Sequence, residues 1–408
     1  MLNIPAIYKN NNEDYITLPA IKAFIKARPQ LKIKSSATRE ALMEGIIQYG
    51  NESDEKAEDV LNWIDETIRE GIKDVHLQYS ELPYEITLLF SSLEKISAYL
   101  NSHLRDGVKR HICNNTYSNN LTLLNATVVQ TDLGRKIEFT YCIKLHLYDK
   151  KKMITKAIDY PIIAEYYVDK YWLLTRAKPR SNLYSYNPEG FSIEKSVTTT
   201  TEKQIMNVAD SVGDILNLKN SDIQYTSRVL KNKIFNLLDK YSKTPEEILK
   251  VMEDKAENIC HMASLIKTMC SVPPSMNNDV DDDIKNIVEK YLSINWQSKD
   301  VFIKNRDAYP IKLSATDEEE SKVEQTAALS EPLQAKALFF DNKKMLYKNQ
   351  SCDGVVLKWK RIIRAYYSND AFPVRISANS KGNCVFKFTE YTSREDIDNV
   401  IFSIIGVN

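Results

Sequence analysis

The sequence predicts an α+β fold that is divided into several segments. Four stretches rich in β-branched and aromatic residues lie within about residues 121–176, and short breaks with Asp, Lys or Gly separate them, as in an antiparallel meander. Apolar residues recur at helical spacing before and after these stretches. Strands and helices therefore come in separate runs, unlike the alternation that builds a doubly wound sheet. A chain of 408 residues is long enough for two or three domains.

Three short helices are predicted within residues 15–71. Thr17 is placed to cap the first helix, because its side-chain oxygen can accept a hydrogen bond from the first turn. The second helix is predicted to begin near Thr38 and to stop at Gly50. The third is predicted to begin at Ser53, with apolar residues at helical spacing after it.

Five parts are expected along the chain. They are an N-terminal helical module (1–71), an antiparallel sheet domain with a helix (72–200), a helical segment (201–314), an acidic linker (315–332) and a small C-terminal α+β domain (333–408). Hairpin turns are predicted at 132–134, 149–152 and 169–170. The linker is expected to be mobile because it is acidic and has no large apolar run. A final helix is predicted to begin near Ser393.

Composition argues against several classes of protein. Lys plus Arg and Asp plus Glu number 55 each, so the chain is neutral and is not a uniformly basic nucleic-acid binder. Only 10 glycines are present, whereas phosphate-binding loops need several closely spaced ones. The five histidines and six scattered cysteines do not have the spacing of a zinc site. We therefore expect no cofactor and no bound metal, and catalysis is the less favoured interpretation.

The sequence gives no indication of export or membrane insertion. Its first residues lack the basic start and apolar run of a secretory signal, and no apolar run approaches the ~18 residues of a membrane span. The cysteines form no CxxC pair, so reduced thiols in the cytoplasm are expected. Abundant Lys, Asn and Ile beside scarce Gly and Ala suggest an AT-rich genome, such as that of a low-GC bacterium or its phage.

The first two predicted helices resemble a known family. The stretch ITLPAIKAFIKA is followed by TREALMEGIIQY, with apolar positions at Leu18, Ile21, Leu42 and Ile46. This segment, residues 15–50, resembles the SAP family of helix–extended loop–helix DNA-binding modules. Arg39 stands where the family often has a lysine at the start of its second helix. The resemblance implies that the segment binds duplex DNA.

Three basic regions are the candidate nucleic-acid surfaces. Residues 9–39 hold seven cations against two acids, and the stretch that follows is strongly acidic. Residues 144–180 hold nine cations against four acids, and residues 343–381 hold nine against two. Local patches of this kind attract phosphate even in a neutral chain. The expected nucleic-acid-binding residues are Lys22, Lys26, Arg28, Lys32, Lys34, Arg39, Arg176, Lys178, Arg180, Lys358, Lys360, Arg361 and Arg364.

The leading hypothesis is a non-catalytic protein that binds double-stranded DNA by its backbone. It would be a DNA-recognition or recruiting subunit of a bacterial or phage defence or mobile-element system, with other protein subunits as further partners and no membrane. The first alternative is a divergent metal-dependent nuclease, for which Asp132 with Asp149, Lys150 and Lys151 is the best available set. The second alternative is a protein-interaction scaffold whose basic regions bind acidic partners.

Overall fold

The computed structural model describes residues 2–9, 15–31, 33, 38–104, 110–114, 119–192, 196–219, 222–316, 322–327, 331–362 and 369–406. The chain forms two compact units. Unit 1 comprises Met1–Thr226, Ile362–Asp370 and Gly382–Asn408, and unit 2 comprises Ser227–Arg361 and Ala371–Lys381. Both units contain helices and antiparallel strands, which confirms the predicted α+β class.

The described residues form thirteen α-helices, and capping side chains mark the start of some of them but not of all. They are α1 Ala6–Lys9, α2 Leu18–Lys26, α3 Arg39–Gly50, α4 Asp54–Thr67, α5 Tyr84–Leu89, α6 Leu93–His103, α7 Thr201–Leu216, α8 Ile223–Ser242, α9 Glu246–Asp254, α10 Ala256–Met269, α11 Asn277–Asn295, α12 Ala337–Asn349 and α13 Arg394–Ile405. The predicted starts at Thr17, Thr38, Ser53 and Ser393 are confirmed. Each of these side chains accepts a hydrogen bond of 3.1–3.3 Å from the backbone N–H three residues later.

The predicted meander is also confirmed. The strands are β1 Lys73–Tyr79, β2 Thr122–Thr131, β3 Gly134–Asp149, β4 Ile154–Tyr167, β5 Trp172–Ala177, β6 Leu183–Ser185, β7 Thr198–Thr199, β8 Ala308–Thr316, β9 Lys322–Thr326, β10 Gly354–Lys360, β11 Ala371–Ala378 and β12 Asn383–Phe388. Strands β2 to β5 pair in succession, all antiparallel. Gly134 follows the β2–β3 turn with φ +104°, a conformation that favours glycine.

The sheet of unit 1 joins distant parts of the sequence. Its strand order is β7-β6-β3-β4-β5-β1-β12, and β2 also pairs with β3. Strand β1 lies between β5 and β12 and pairs antiparallel with both. Helix α13 follows β12 and buries Ile397, Val400 and Ile404 completely in unit 1. The C-terminal part of the chain therefore supplies both a strand and core residues to the unit that contains the N-terminal helices.

Unit 2 combines a smaller sheet with helices. The strand order of this sheet is β9-β8-β10-β11. Leu357 and Trp359 of β10 are buried while Lys358 and Lys360 are half-buried, as the alternation of the sequence predicts. Within the described ranges of the chain, no helix has both the length and the apolar character needed to cross a bilayer.

The structure divides the chain differently from the five predicted parts. Residues 322–326 of the predicted linker form β9, which pairs with β8. The predicted C-terminal domain is shared, because α12, β10 and β11 belong to unit 2 whereas β12 and α13 belong to unit 1. The predicted helical segment is shared in the same way, since α7 belongs to unit 1 and the segment reaches into β8.

Candidate nucleic-acid interface

The first predicted basic region has two cations at the surface. Lys22 and Lys26 lie one turn apart on α2, and both side chains are exposed. Lys32 and Lys34 lie outside the described residues. Helices α2 and α3 occupy the spans expected for the SAP-like segment, but the loop between them is described only in part. The resemblance to the SAP family therefore stays a prediction.

The two arginines of this region are engaged within unit 1. Arg28 donates through Nε and Nη2 to the carboxylate of Asp59 on α4, at 2.6 Å for each contact. This pairing holds the pKa of the Asp59 carboxyl below its ordinary value. Arg39 is 8% exposed and donates to the carbonyls of Lys9 and Ile16 at 2.9 and 2.6 Å. A phosphate contact by Arg39 is therefore contradicted, because its donors bind the backbone of the same chain.

Arg176 lies in the interior of unit 1 and not on a basic surface. Its Nη2 is 2.9 Å from Glu165 Oε2, and both side chains are fully buried. Glu165 also accepts a hydrogen bond of 3.0 Å from Lys136 Nζ, which lies 2.6 Å from Glu138 Oε1. The predicted contact of Arg176 with nucleic acid is contradicted, because a guanidinium without exposed surface cannot reach phosphate.

Further charged groups surround this pair. Arg69 Nη1 lies 2.9 Å from Glu138 Oε2, and Arg394 donates to Glu138 Oε1 at 3.1 Å. Asp398 on α13 lies 3.6 Å from Arg176 and 3.7 Å from Arg394. We call these seven residues the ionic cluster: Arg69, Lys136, Glu138, Glu165, Arg176, Arg394 and Asp398. Each buried charge is offset by charges of opposite sign, which is the condition for keeping ions in a protein interior.

Lys178 also faces the interior of unit 1. It is 5% exposed, and its Nζ lies 5.0 Å from the ring centroid of Tyr15. The half-buried Arg180 lies 5.7 Å from the same centroid, and the Nζ of Lys73 lies 5.8 Å from it. Burial and the positive charges of Lys178, Arg176 and Arg180 lower the pKa of Lys73 well below its ordinary value. The predicted surface role of Lys178 is therefore contradicted by its burial.

Two cations of the third predicted region are partly exposed to solvent. Lys358 and Lys360 are half-exposed on one face of β10, and Lys360 Nζ donates to the carbonyl of Ile303 at 3.1 Å. Arg361 is 5% exposed and lies 4.8 Å from the ring centroid of Phe372. A phosphate contact by Arg361 is contradicted by this burial. Arg364 lies outside the described residues.

Three adjacent exposed cations of unit 1 lie at the turn between β3 and β4. We call residues 149–156 the hairpin tip. Lys150, Lys151 and Lys152 are exposed, and in the part of the chain that the structure describes their side chains form no ion pair. Strand β3 pairs with β6 only as far as Leu147, so the tip is a ribbon of two strands. Three adjacent cations are thus presented at the end of a narrow element.

The Asp149 side chain fixes the backbone of the turn that carries these lysines. Asp149 Oδ1 accepts hydrogen bonds from the backbone N–H groups of Lys151 and Lys152, at 2.9 and 3.2 Å. Short acidic side chains commonly fix turns in this way. Met153 adopts a left-handed conformation with φ 52°. Met153 and Ile154 are 77% and 58% exposed, so apolar surface adjoins the three cations.

The carboxylates of the nuclease alternative do not converge. Asp132 lies in the turn before β3, and Asp149 is the last residue of that strand. A strand rises about 3.4 Å per residue, so the two carboxylates lie roughly 50 Å apart along β3. Among the described residues, no group of three or more His, Cys, Asp or Glu side chains is placed to hold a metal ion. The set named for metal-dependent cleavage therefore cannot share one ion.

Sequence reasoning missed two features. It counted Lys150, Lys151 and Lys152 in the second basic region but assigned the binding role to residues 176–180. Their position in a predicted turn was the signal for exposure, because turns lie at the surface. It also missed the ionic cluster, although Glu138 and Glu165 interrupt apolar strands that had no other reason to hold carboxylates.

Function must be inferred from these contacts directly. Comparison of the chain with models of protein families, with curated proteins and with solved structures gives no match.

Proposed function

We propose that the protein binds duplex DNA by its phosphate backbone and that the hairpin tip makes the principal contact. The observation that carries this proposal is the run of three exposed lysines, Lys150 to Lys152, at the end of a two-stranded ribbon. Ammonium groups of this kind attract phosphate without reading sequence. The two exposed lysines of α2, Lys22 and Lys26, would supply a second contact in the same unit.

The shape of the hairpin tip favours a duplex as the ligand. The major groove of DNA is about 12 Å wide and admits a two-stranded β-ribbon. Lysines on a ribbon in the groove reach the phosphates on its sides, while Met153 and Ile154 supply apolar surface for base or sugar contact. The negative charge of Asp149 is outweighed, because the hairpin tip holds four lysines against this one carboxylate.

We further propose that the chain acts as a non-catalytic DNA-binding subunit in the cytoplasm of a bacterium or in a phage-linked defence or mobile-element system. The abundance of Lys, Asn and Ile, which suggests an AT-rich genome, supports the proposed bacterial or phage source. All six cysteines are free, which supports a reducing compartment. Other protein subunits remain the second proposed class of partner.

Charge reversal at the hairpin tip should weaken DNA binding strongly. We expect the triple variant Lys150→Glu, Lys151→Glu and Lys152→Glu to bind a duplex at least tenfold more weakly at moderate salt, because about three phosphate contacts are replaced by repulsion. The slope of log affinity against log salt should become shallower by ~2 to 3. Electrophoretic mobility shift or fluorescence anisotropy at several salt concentrations measures both quantities.

A matched control separates this local effect from a change in net charge. The triple variant Lys95→Glu, Lys203→Glu and Lys219→Glu makes the same charge change at exposed lysines of unit 1 elsewhere in the sequence. We expect it to retain most of the affinity. Equal losses in both variants would show that binding depends only on net charge. If neither the variants nor the wild type bind duplex DNA, the proposal is wrong and the protein-interaction scaffold becomes the favoured hypothesis.

The nuclease alternative makes a separate prediction. Because Asp132 and Asp149 lie at opposite ends of β3, we expect purified protein with Mg²⁺ or Mn²⁺ to leave supercoiled plasmid intact. Agarose electrophoresis over several hours measures this. Metal-dependent cleavage that the Asp149→Asn variant loses while it keeps its fold would reinstate the nuclease alternative.

A further inference from the structure

A cavity of about 480 Å³ with mixed polar and apolar lining opens on one face of the sheet of unit 2. Gly354 of β10 lies in its wall and is paired with Ser314 on β8 and with Ser377 on β11. Residues directly opposite each other in antiparallel strands share a face, so the two serines flank the space where a side chain is missing. A Cβ at Gly354 would lie 3.1 Å from the carbonyl oxygen of Ile376 and 3.2 Å from Ser377 Cβ, so the close approach of β11 accounts for the glycine.

Two cations border this gap on the same face. Val356 is paired with Lys312 on β8 and with Arg375 on β11, two residues along from the glycine. Arg375 is exposed, and within the described ranges its guanidinium forms no hydrogen bond or ion pair. Lys312 Nζ lies 3.6 Å from the carboxylate of Glu324, which is longer than a hydrogen bond. Both cations therefore have donors available to a ligand.

The remaining charged pair fixes the wall of the cavity. Asp353 Oδ1 lies 2.6 Å from Lys231 Nζ, and its Oδ2 accepts a hydrogen bond of 2.6 Å from Thr316 Oγ1. The positive charge of Lys231 thus offsets the negative charge of the Asp353 carboxylate in the cavity wall. Other polar groups that line the cavity are the side chains of Ser227, Ser314, Ser377, Asn379 and Ser380.

We propose that this cavity binds a sugar phosphate, either as a free molecule or as part of a nucleotide. The open guanidinium of Arg375 matches a phosphate monoester, because its planar fork donates two parallel hydrogen bonds to phosphate oxygens. Lys312 adds a second positive charge beside it, which the Glu324 carboxylate 3.6 Å away offsets in part. The hydroxyls and the Glu324 carboxylate match a sugar, whose hydroxyl groups both donate and accept. The volume lies within the usual range for small-molecule sites.

Calorimetric titration of the full-length protein tests this assignment. The probes are ribose 5-phosphate, AMP, ribose and inorganic phosphate. We expect ribose 5-phosphate or AMP to bind more tightly than ribose or phosphate alone, and the comparison of the first two distinguishes a free sugar phosphate from a nucleotide. The Arg375→Gln variant should weaken the favoured probe by roughly tenfold or more, as loss of a charge-assisted hydrogen bond predicts.

Two further variants make the test decisive. Arg228→Gln removes an exposed arginine of α8 that does not line the cavity, and it should change affinity by less than about twofold. Lys312→Met should weaken the same probe, and it replaces Arg375→Gln if that variant does not fold. The proposal is overturned if neither sugar phosphate binds at millimolar concentration. It is also overturned if inorganic phosphate binds as tightly as ribose 5-phosphate, or if Arg228→Gln weakens binding as much as the cavity variants.

Discussion

A chain truncated after Lys381 should fail to fold unit 1. The truncation removes β12, so β1 loses one of its two partner strands over the whole register from Lys73↔Phe388 to Gln78↔Asn383. It also removes α13, which buries five large apolar side chains: Ile397, Val400, Ile401, Ile404 and Ile405. Full burial of such a side chain is worth about 1.5–3 kcal/mol, so the loss is comparable with the whole stability of a typical domain, about 5–15 kcal/mol.

Near-ultraviolet circular dichroism and limited proteolysis measure this outcome. We expect the truncated chain to lose the aromatic signal of unit 1 and to be digested rapidly between residues 1 and 226. A chain that ends at Ile405 is the control, because it retains every residue of β12 and α13 and should behave as wild type. A truncated chain that unfolds cooperatively at the wild-type temperature would mean that unit 1 is complete without its C-terminal strand and helix.

This expectation changes how the electrostatic hypothesis can be tested. The sequence suggests that removing everything after residue 314 would delete one basic region and leave the rest intact. The structure shows that such a deletion also removes β12 and α13 from unit 1. Loss of DNA binding after that deletion would therefore report unfolding, and point substitutions at exposed lysines are the appropriate test.

Features that depend on neighbouring residues were predictable from the sequence. A capping residue such as Thr38 acts on the backbone three residues away, and the alternation of Leu357 and Lys358 depends only on the geometry of one strand. The hairpin turns are local in the same sense. The partner of β1 was not predictable, because the alternation of apolar Val75 and Leu77 with polar neighbours identifies a strand and no local signal identifies β12 as its partner.

The candidate site was less predictable than the fold. Counting cations along a segment treats each as exposed, and this assumption failed at Arg176 because its neighbours in β5 are buried on both faces of the sheet. Carboxylates also pair with some of the cations that the count assigned to phosphate, as Glu165 does with Arg176, and this pairing offsets their positive charge. The assumption of exposure holds for the lysines of the hairpin tip, because a turn of exposed residues has no interior in which to bury them.

Glu165→Gln should destabilise unit 1 more than any single substitution at the surface. Glu165 is fully buried between Arg176, 2.9 Å away, and Lys136, 3.0 Å away. Glutamine keeps the shape but removes the negative charge, so both cations stay buried with less compensation. Breaking a buried ion pair from one side costs about 3–5 kcal/mol, whereas an exposed pair is worth about 0–1 kcal/mol. Glu66→Gln, at an exposed partner of Arg394, is the matched control.

The dependence of this effect on pH identifies its origin. Burial by itself raises the pKa of the Glu165 carboxyl. The positive charges of Arg176, Lys136 and Arg69 have the larger effect, and they lower this pKa to about 2. In the unfolded chain the pKa of glutamate is about 4.3. A carboxyl with a lowered pKa in the folded state contributes stability above the unfolded value and loses it as pH falls towards the folded value. The wild type and Glu165→Gln should therefore differ most above about pH 4.5 and converge towards pH 2.

Denaturant unfolding across this range, followed by near-ultraviolet circular dichroism, separates an electrostatic role from a packing role. Asp398 acts in the opposite direction, because burial and the negative charge of Glu165 raise the pKa of its carboxyl; Glu165→Gln removes that charge, so the pKa of Asp398 should fall in the variant. A double variant, Glu165→Gln with Arg176→Met, removes both charges of the pair and should recover part of the lost stability, since a buried pair can be replaced by apolar groups at little cost. A loss that is independent of pH, and that the double variant deepens, would mean that Glu165 stabilises unit 1 by its shape and hydrogen bonds and that its charge contributes nothing.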